Sequence, residues 1–459
     1  MRRKIFCLFT CLIISTAICL AAANAETILK LNGISETTSS NFFLTHPDVK
    51  RADLEYHYYA STNEMITDFL LGSFDYDAFS LGSSSIDHQA LMSKGYFLDL
   101  SSSEIISNAI NDLYPAYAEQ CVYDGKIYAI PTWTQLNLTI FSTAALEKTD
   151  FGEAKVPESF PEFLDFLEQW VDYLKDNPEC SISVLGTYLG DESEYNAQSY
   201  TGFLVDWLLE NYIMQKEYAG EELDFEDEEL ITLLNRCAQV GAELYDYDPA
   251  TKATGSIVNS GTAVAFLNDE NKQFLSLRLN NAQPKLISVY LSLYAVNAKT
   301  ENPALCIELM ESLLQNNLAQ NSAYLYQNAD PVLDPDYDAS VAQQQEFVQE
   351  SENQLRRDDL TDDERDKLEY GLERQQAILK NLLENENKKY IVSPSALATY
   401  RSYGDFLYVT KPGTFSNSED AKNFRQLKAR FVGGQLTAEQ LTQELTRVAK
   451  MIEMENGAE

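Results

Sequence analysis

Alternating and helically spaced apolar residues predict an α/β arrangement for the first hundred residues. Alternation in Thr27–Leu31, Asp53–Tyr59 and Tyr76–Leu81 predicts three strands. Between the second and third, Thr62–Leu71 carries apolar residues at helical spacing, which predicts an amphipathic helix. A strand, a crossover helix and a further strand form the βαβ unit of a parallel sheet.

Two serines follow the third predicted strand, where sheets of this kind bind ligands. Ligands lie beyond the carboxyl ends of parallel strands, so Ser83 and Ser84 are candidate ligand-binding residues. The alternative is that Ser83–Ser85 caps a helix over Ile86–Met92, because Ser oxygens accept hydrogen bonds from the first N–H groups of a helix. The two roles are compatible.

The segment Asp124–Thr143 predicts a place where the chain crosses between two halves of the fold. Asp124-Gly125 indicates a tight turn, because Gly accepts the positive φ that the turn requires. β-prone residues flank Pro131, which is expected to interrupt the ladder because it has no N–H. Two interrupted strands could cross an open cleft with Trp133 and Gln135 facing it. The alternative is an ordinary hairpin with a buried Trp.

The middle of the chain predicts helices with apolar inward faces. The spacing in Pro157–Leu174 places Trp170 in a core, and the spacing in Tyr200–Tyr212 favours a core position for Trp207 over a ligand platform. Two strands and a helix are predicted after them, over Thr262–Leu267, Leu286–Val296 and Ala304–Gln315.

The composition changes at residue 331. Pro331 and Pro335 mark a loop, and Ser340–Glu386 after it is almost wholly charged residues, Gln and Leu, which predicts two antiparallel helices with a turn at Arg357–Thr361. Thr361 and Glu364 have the spacing of a capping box at the start of the second helix. The hairpin is either a solvated part of the protein or a docking surface for a partner.

The N-terminus has the order of a secretory signal peptide. Three basic residues precede the apolar run Ile5–Leu20, and Ala23-Asn24-Ala25 follows it. We therefore expect cleavage before Glu26 and a secreted product, extracellular or periplasmic. The run is short for a membrane span, which needs about 20 apolar residues. A lipid anchor at Cys19 is not expected, because Ile18 stands where that signal has Gly, Ala or Ser.

The charge of the chain bears on its partners. A formal net charge of −37 argues against nucleic acid and anionic lipid, because both require a basic surface. Solubility of an exported protein is a sufficient explanation of the charge.

Motifs of the common catalytic sites are absent from the sequence. There is no G-x-S-x-G elbow, H-E-x-x-H, P-loop or G-x-G-x-x-G. His46, His57 and His88 lack a neighbouring Cys or a His four residues away, so we expect no metal, no cofactor and no catalytic residues.

Four cysteines lie beyond the predicted signal peptide: Cys121, Cys180, Cys237 and Cys306. Export permits disulfides, and the sequence leaves their pairing open. Cys237 and Cys306 fall on apolar helical stripes and are expected to be buried thiols.

Five segments together resemble extracellular solute-binding proteins of ABC importers, the class that includes maltodextrin-binding proteins. In chain order they are Leu71–Phe79, Lys94–Leu100, Asp124–Pro131, Gly261–Val264 and Gly434–Gln440. The resemblance implies two α/β lobes of a periplasmic-binding-protein type II fold. Such lobes close on a ligand by hinge motion, which the importer's membrane subunits sense. A long acidic insertion is unusual in that class.

The resemblance also implies how the chain is divided. We expect crossing strands near Pro131–Asn137 and Ser288–Tyr294. The expected parts are a signal peptide at 1–25, a first lobe of 26–131 with 296–330, a second lobe of 132–295 with 390–459, and the helical hairpin insertion at 331–389.

The ligand-binding residues are likewise implied by the resemblance. Trp133 would stack on the ligand, and Gln135, Ser83, Ser84 and Asn268 would hydrogen-bond it. Further candidates lie on or beside the predicted cleft segments: Asn137, Tyr200 and Tyr290.

A small neutral carbohydrate is the expected ligand, in a protein expected to be monomeric. Sugars bind to aromatic faces and planar polar side chains, and the chain has 27 Tyr. Peptides and amino acids usually require an Arg or acidic anchor, and the expected cleft segments contain no Arg.

Two alternatives use the same architecture. One is a surface interaction or sensor protein whose acidic hairpin docks a partner. The other is a transferase resembling thiaminase I, which uses a nucleophilic Cys in the cleft; Cys121, upstream of the turn, is the residue to test.

Overall fold

A computed structural model describes most of the chain. It covers residues 27–136, 138–152, 155–185, 197–249, 253–261, 272–275, 277–357, 359–412, 415 and 418–457.

Helices and strands alternate through both halves of the described chain. The strands are β1 Thr27–Leu29, β2 Leu31–Asn32, β3 Val49–Arg51, β4 Ala78–Gly82, β5 Val122–Tyr123, β6 Lys126–Ile127, β7 Ala129–Leu136, β8 Leu138–Ser142, β9 Ile182–Ser183, β10 Gly255–Ser256, β11 Val258–Gly261, β12 Lys272–Phe274, β13 Ile287–Val296, β14 Val332–Leu333, β15 Tyr390–Val392 and β16 Leu407–Val409. The helices are α1 Glu36–Thr45, α2 Thr62–Leu71, α3 His88–Ser93, α4 Glu104–Asn111, α5 Pro115–Cys121, α6 Thr143–Leu146, α7 Phe160–Asp176, α8 Ala197–Ala219, α9 Glu228–Tyr247, α10 Pro303–Gln315, α11 Ala319–Ser322, α12 Tyr337–Leu355, α13 Asp362–Glu384, α14 Pro394–Ser402, α15 Ser418–Val432 and α16 Ala438–Gly457.

The buried apolar residues form two large cores, one in each lobe. The first core takes residues from 29–140, 287–325 and 400–409. The second takes residues from 141–279 and 427–449, and includes Trp170 and Trp207. Both Trp residues therefore lie in a core, as the helical spacing predicts.

The boundary between the lobes differs from the expected one. All of β13 belongs to the first lobe, because its buried residues pack into the first core. Tyr400, Leu407 and Val409 also pack there, since β16 pairs in parallel with β13. Residues 390–409 therefore accompany the first lobe, whereas we expected them in the second.

The first lobe is organised around β13. On one side β13 pairs with antiparallel β7. On the other side its first half pairs with parallel β16 and its second half with antiparallel β4. β2 pairs with β4 in parallel, and α1 and α2 lie in the connection between them.

Two strand predictions in the first lobe are wrong. Residues 53–59 form no strand, and β3, which ends at Arg51, pairs with β1 instead. Pro131 does not end a strand but lies inside β7. β7 pairs with β13 alone among the described strands, and the register shifts between Ser292 and Leu293, opposite Pro131. An edge strand with a bulge tolerates the missing N–H.

The chain passes between lobes where β7 gives way to β8. β7 ends at Leu136 in the sheet of the first lobe, and β8 begins at Leu138 between β11 and β12 of the second. Before β7, Asp124 and Gly125 both have positive φ and join β5 to β6, which confirms the predicted turn.

The insertion is an antiparallel helical hairpin, as predicted. Thr361 and Glu364 form the reciprocal capping box at the start of α13. The two ends of the insertion meet, because β14 pairs with β15 and the Asp334 N–H donates to the Lys389 carbonyl at 2.9 Å. In the parts of the chain that are described, no helix has the length and apolar character to cross a membrane.

Because its ends are joined, the hairpin should be removable without unfolding the lobes. Replacing residues 335–388 with a four-residue Gly/Asn turn should leave cooperative thermal unfolding, with Tm changed by less than about 5 °C. Deleting α14 is the matched control and should destroy the fold, since its Tyr400 is fully buried in the first core. Loss of cooperative unfolding in the hairpin deletion would contradict the prediction.

Acid should destabilise the protein through His88. This side chain is buried at the start of α3, and burial lowers its pKa from 6.5 to about 4. As pH falls from about 6.5 toward 4, the unfolded chain binds a proton that the folded protein does not, and up to about 3 kcal/mol of stability is lost. His88→Leu should flatten the fall in unfolding free energy across this window, measured by urea denaturation; exposed His57→Gln should not.

Candidate functional site

The open face of β13 carries polar and aromatic side chains. Side chains alternate along a strand, so Val289 and Leu291 enter the first core while Ser288, Tyr290 and Ser292 lie on the opposite face. That face is only half-buried, which leaves it available to a ligand.

Trp133 and Tyr290 lie side by side on this face. Their ring centroids are 5.6 Å apart, and 38% of Trp133 is exposed to solvent. The Tyr290 ring extends across Gly82 of β4, where a Cβ atom would overlap the Tyr290 hydroxyl. Gly82 is therefore required for the Tyr290 ring to keep this position.

Two further tyrosines enlarge the aromatic area. Tyr56 and Tyr58 are 64% and 61% exposed, and the Tyr58 hydroxyl lies 3.3 Å from the Ser85 hydroxyl. The Asn32 side chain orients their segment, because it donates to the His57 carbonyl and accepts from the His57 N–H. We name Tyr56, Tyr58, Trp133 and Tyr290 the aromatic surface.

Tyr56 and Tyr58 lie near the Tyr290 hydroxyl. The pKa of Tyr290 is raised, first by burial and then by the nearby Tyr56 and Tyr58 hydroxyls. Tyr56 and Tyr58 were not among the candidate residues predicted from the sequence. The alternation in residues 53–59 predicted a strand, whereas these tyrosines are exposed on a segment that forms no strand.

The two candidate serines have different environments. Ser83 is buried, its N–H donates to the Leu291 carbonyl at 2.9 Å, and its hydroxyl accepts from the Leu291 N–H at 3.0 Å. Ser84 is exposed beside it. Neither caps the next helix, since α3 begins at His88 with Asp87 as its N-cap, so the alternative role of Ser83–Ser85 as a helix cap is wrong.

The remaining candidates fall in different places. Gln135 is half-buried and pairs directly with Tyr290, so both side chains lie on one face. Tyr200 is fully buried in the second core and does not reach the aromatic surface. Asn137 and Asn268 lie outside the described residues.

Tyr200 has a structural role beside a buried carboxylate. Asp248 accepts hydrogen bonds from the Ser183 hydroxyl at 2.6 Å and the Val184 N–H at 2.7 Å. Burial raises the pKa of Asp248, and hydrogen bonds from these groups, Tyr200 and Trp170 oppose that rise. The group stabilises the second lobe.

A cavity of about 660 Å³ lies where the lobes meet. We name it the hinge cavity; its walls are Leu138, Thr139, Trp207, Glu210, Asn211, Ile213, Met214, Glu217, Phe274, Leu275, Leu277, Leu286, Ser288, Tyr408, Thr410 and Lys411. The Tyr408 hydroxyl of the first lobe donates to Glu217 of the second at 3.2 Å. A volume of this size is ordinary for a small-molecule site.

The hinge cavity and the aromatic surface share a face of β13. Ser288 lines the cavity, and Tyr290 lies two residues further along the same face, about 7 Å away. An elongated ligand could therefore contact both.

The cysteines do not provide a nucleophile at this site. Cys121, Cys180, Cys237 and Cys306 are all free thiols. Cys121 is fully buried, and burial raises its pKa, so it carries little thiolate. Cys237 and Cys306 are buried, as predicted. Among the described residues, no group of His, Cys, Asp and Glu could hold a metal ion.

Comparison with known proteins supports the two-lobed fold. Neither a family model nor a curated protein matches the sequence. Among solved structures, a chitin oligosaccharide binding protein aligns with TM-score 0.51 at 12% identity, over 94% of this chain and 99% of its own. A cyclic alpha-maltosyl-1,6-maltose binding protein from Arthrobacter globiformis gives TM-score 0.51 at 10% identity, over 93% and 98%.

A third solved structure has the same arrangement. The ABC substrate-binding protein of Listeria monocytogenes in complex with cycloalternan aligns with TM-score 0.50 at 12% identity, over 94% of this chain and all of that one. The alignments run almost end to end. The chain therefore has the α/β fold of two-lobed solute-binding proteins, with an inserted helical hairpin, as the sequence predicts.

Burial predicts which thiols react in the folded protein. In a chain that starts at Glu26, Ellman's reagent should modify at most one thiol under native conditions, the half-buried Cys180, and all four in denaturant. Cys180→Ser should abolish the native reaction, and Cys121→Ser should leave it unchanged. Rapid native modification of Cys121 would return the transferase hypothesis to consideration.

Proposed function

We propose that this protein is an extracellular solute-binding protein that captures a carbohydrate between its lobes and delivers it to an ABC importer. The observation that carries the proposal is the aromatic surface: Trp133 and Tyr290 lie side by side on the open sheet face beside the crossing between lobes, and the exposed Tyr56 and Tyr58 lie near Tyr290. Aromatic faces cover the C–H patches of sugars, and surrounding polar side chains satisfy the hydroxyls.

Several polar groups surround the rings. Ser84, Ser85, Gln135 and Ser292 are half-buried or exposed near the aromatic surface, and none is charged. Neutral donors and acceptors suit sugar hydroxyls, whereas a carboxylate ligand would require a cationic anchor. The ligand-binding residues we propose are therefore Tyr56, Tyr58, Trp133, Gln135 and Tyr290, with Ser84 beside them.

The two-lobed fold supports the transport part of the proposal. Two structures with this fold are named for the saccharides that they bind, and a third is an ABC substrate-binding protein in complex with a saccharide. We propose that closure of the lobes is what the importer recognises, and that the protein acts as a monomer without catalysis.

A thermal-shift screen against mono- and oligosaccharides tests the function directly. A ligand that binds only the folded state should raise Tm in proportion to the logarithm of its concentration. Amino acids and dipeptides serve as the comparison set. If no saccharide raises Tm while members of the comparison set do, the carbohydrate proposal fails.

Removing a ring from the aromatic surface should weaken saccharide binding. For the best ligand of the screen, Trp133→Ala should raise Kd by about tenfold or more, because a stacked aromatic face is lost. Tyr290→Ala should act in the same direction. Titration calorimetry measures both, and Tyr370→Ala, which removes an exposed ring from α13, is the matched control. An unchanged Kd in Trp133→Ala would place the ligand elsewhere.

A further inference from the structure

A bulge of one residue in β7 turns Trp133 toward the open face. Trp133 pairs with Ser292, whereas Pro131 pairs with the next residue of β13. Thr132, which lies between them, therefore has no residue opposite it. Without this extra residue Trp133 would pair with Leu291, whose side chain is fully buried in the first core. Paired residues lie on the same face of a sheet, so Trp133 would then point into the core.

The bulge has the same effect on Gln135. This residue pairs with Tyr290 on the open face, and without the extra residue it would pair with Val289, which is buried in the first core. Thr134, one residue earlier, faces the buried side, where its hydroxyl donates to Tyr117 at 3.2 Å. A shift of one residue moves every side chain of a strand to the opposite face. Both predicted ligand-binding residues of β7 thus owe their orientation to the bulge.

Asn317 holds the bulge from outside the sheet. The extra residue of a bulge lacks its ladder partner, and a partly buried backbone carbonyl needs one from elsewhere. The side-chain amide of Asn317, which is half-buried, donates to the Thr132 carbonyl at 2.8 Å. Asn317 lies in the short connection between α10 and α11, and α11 packs against β7. The Thr132 hydroxyl adds a longer bond to the Ser292 carbonyl at 3.3 Å.

Pro131 and Asn317 contribute differently to the bulge. Pro131 has no N–H to give to a ladder, which favours an irregularity at this point of the strand. Proline does not fix the backbone of the residues that follow it, and ordering a free backbone during binding costs affinity. The bond from Asn317 orders the backbone of Thr132 before a ligand arrives, and a binding side chain held in place by its support binds more tightly.

We propose that Asn317 is a positioning residue of the binding site: it holds the Thr132 bulge, and the bulge presents Trp133 and Gln135 to the ligand. The inference rests on the proposed carbohydrate function. It adds to the site a residue that acts through the backbone of β7 and not through a contact with the ligand.

Removing the donor of Asn317 tests the proposal. Asn317→Asp keeps the shape of the side chain but replaces the amide nitrogen with an oxygen, which cannot donate to the Thr132 carbonyl. For the best saccharide of the thermal-shift screen, Kd measured by calorimetry should rise about fivefold or more, as expected for the loss of one hydrogen bond. Asn317→Ala removes the donor without adding charge and should act in the same direction.

The position of Trp133 can be measured without any ligand. The chain has three Trp, and the other two, Trp170 and Trp207, are buried in the second core. In protein labelled with 5-fluorotryptophan, the fluorine resonance that is missing from Trp133→Phe belongs to Trp133. That resonance should shift or broaden in ligand-free Asn317→Asp, while those of Trp170 and Trp207 stay in place. A general loss of stability would not move the Trp133 resonance alone.

Asn316→Asp is the matched control, because it adds the same charge to the same connection. Asn316 is exposed, and its side chain bonds to Ser312 of α10 and Asn41 of α1. Its Trp133 resonance and saccharide Kd should equal those of the unchanged protein. An unchanged Trp133 resonance in Asn317→Asp, an unchanged Kd, or equal effects in Asn316→Asp would overturn the inference.

Failure of this inference differs from failure of the proposed function. If saccharides bind and Trp133→Ala weakens them while Asn317→Asp does not, only the role of Asn317 falls. If no saccharide binds the unchanged protein, both proposals fall.

Discussion

The pairing of one long strand determines where the site lies. β13 is held by β7 on one side and by β16 and β4 on the other. These ladders place Trp133 and Gly82 on either side of Ser292, and Tyr408 beside Ser288, although the three residues are far apart in sequence. A slip of one residue would turn Tyr290 into the core and bring Leu291 to the surface.

The two faces of β13 have different environments, because its inward residues belong to the first core and its outward residues lie on the open face. On the buried side of the sheet, hydrogen bonds between hydroxyl groups hold β7 in position. The Thr134 hydroxyl donates to Tyr117 at 3.2 Å, and Tyr117 hydrogen-bonds to Tyr400 of α14. Because these bonds satisfy the buried polar groups, neighbouring Trp133 can lie half-exposed on a rigid base.

Local signals were enough to predict the local parts of the fold. Helix α2 has the predicted bounds, and the capping box at Thr361 places the start of α13, because both depend on residues within one or two turns. The parts of the fold that the sequence analysis got wrong depend on which strands pair with each other. Pro131 stays in a strand because β7 lies at an edge, and residues 390–409 join the first lobe because β16 finds its partner in β13.

The position of the candidate residues was only partly predictable for the same reason. The predicted Trp133, Gln135 and Tyr290 lie together because they are on paired strands near the crossing. Tyr200 was a candidate for ligand binding, but its helix places it in the second core beside the buried Asp248. Tyr56 and Tyr58 alternate as strand residues do, yet Asn32 takes the hydrogen bonds that a neighbouring strand would have supplied.

The hinge cavity and the aromatic surface lie at different distances from the crossing between the lobes. Hinge motion displaces atoms in proportion to their distance from the hinge, so contacts beside the crossing change least. The bond from Tyr408 to Glu217 joins the lobes at the hinge cavity, next to the chain passage at Leu136 and Leu138. Under the proposed function, groups in that cavity would meet a ligand in open and closed states alike. The aromatic surface would need the opposing lobe to cover it, so stacking there would be the part of binding that closure strengthens.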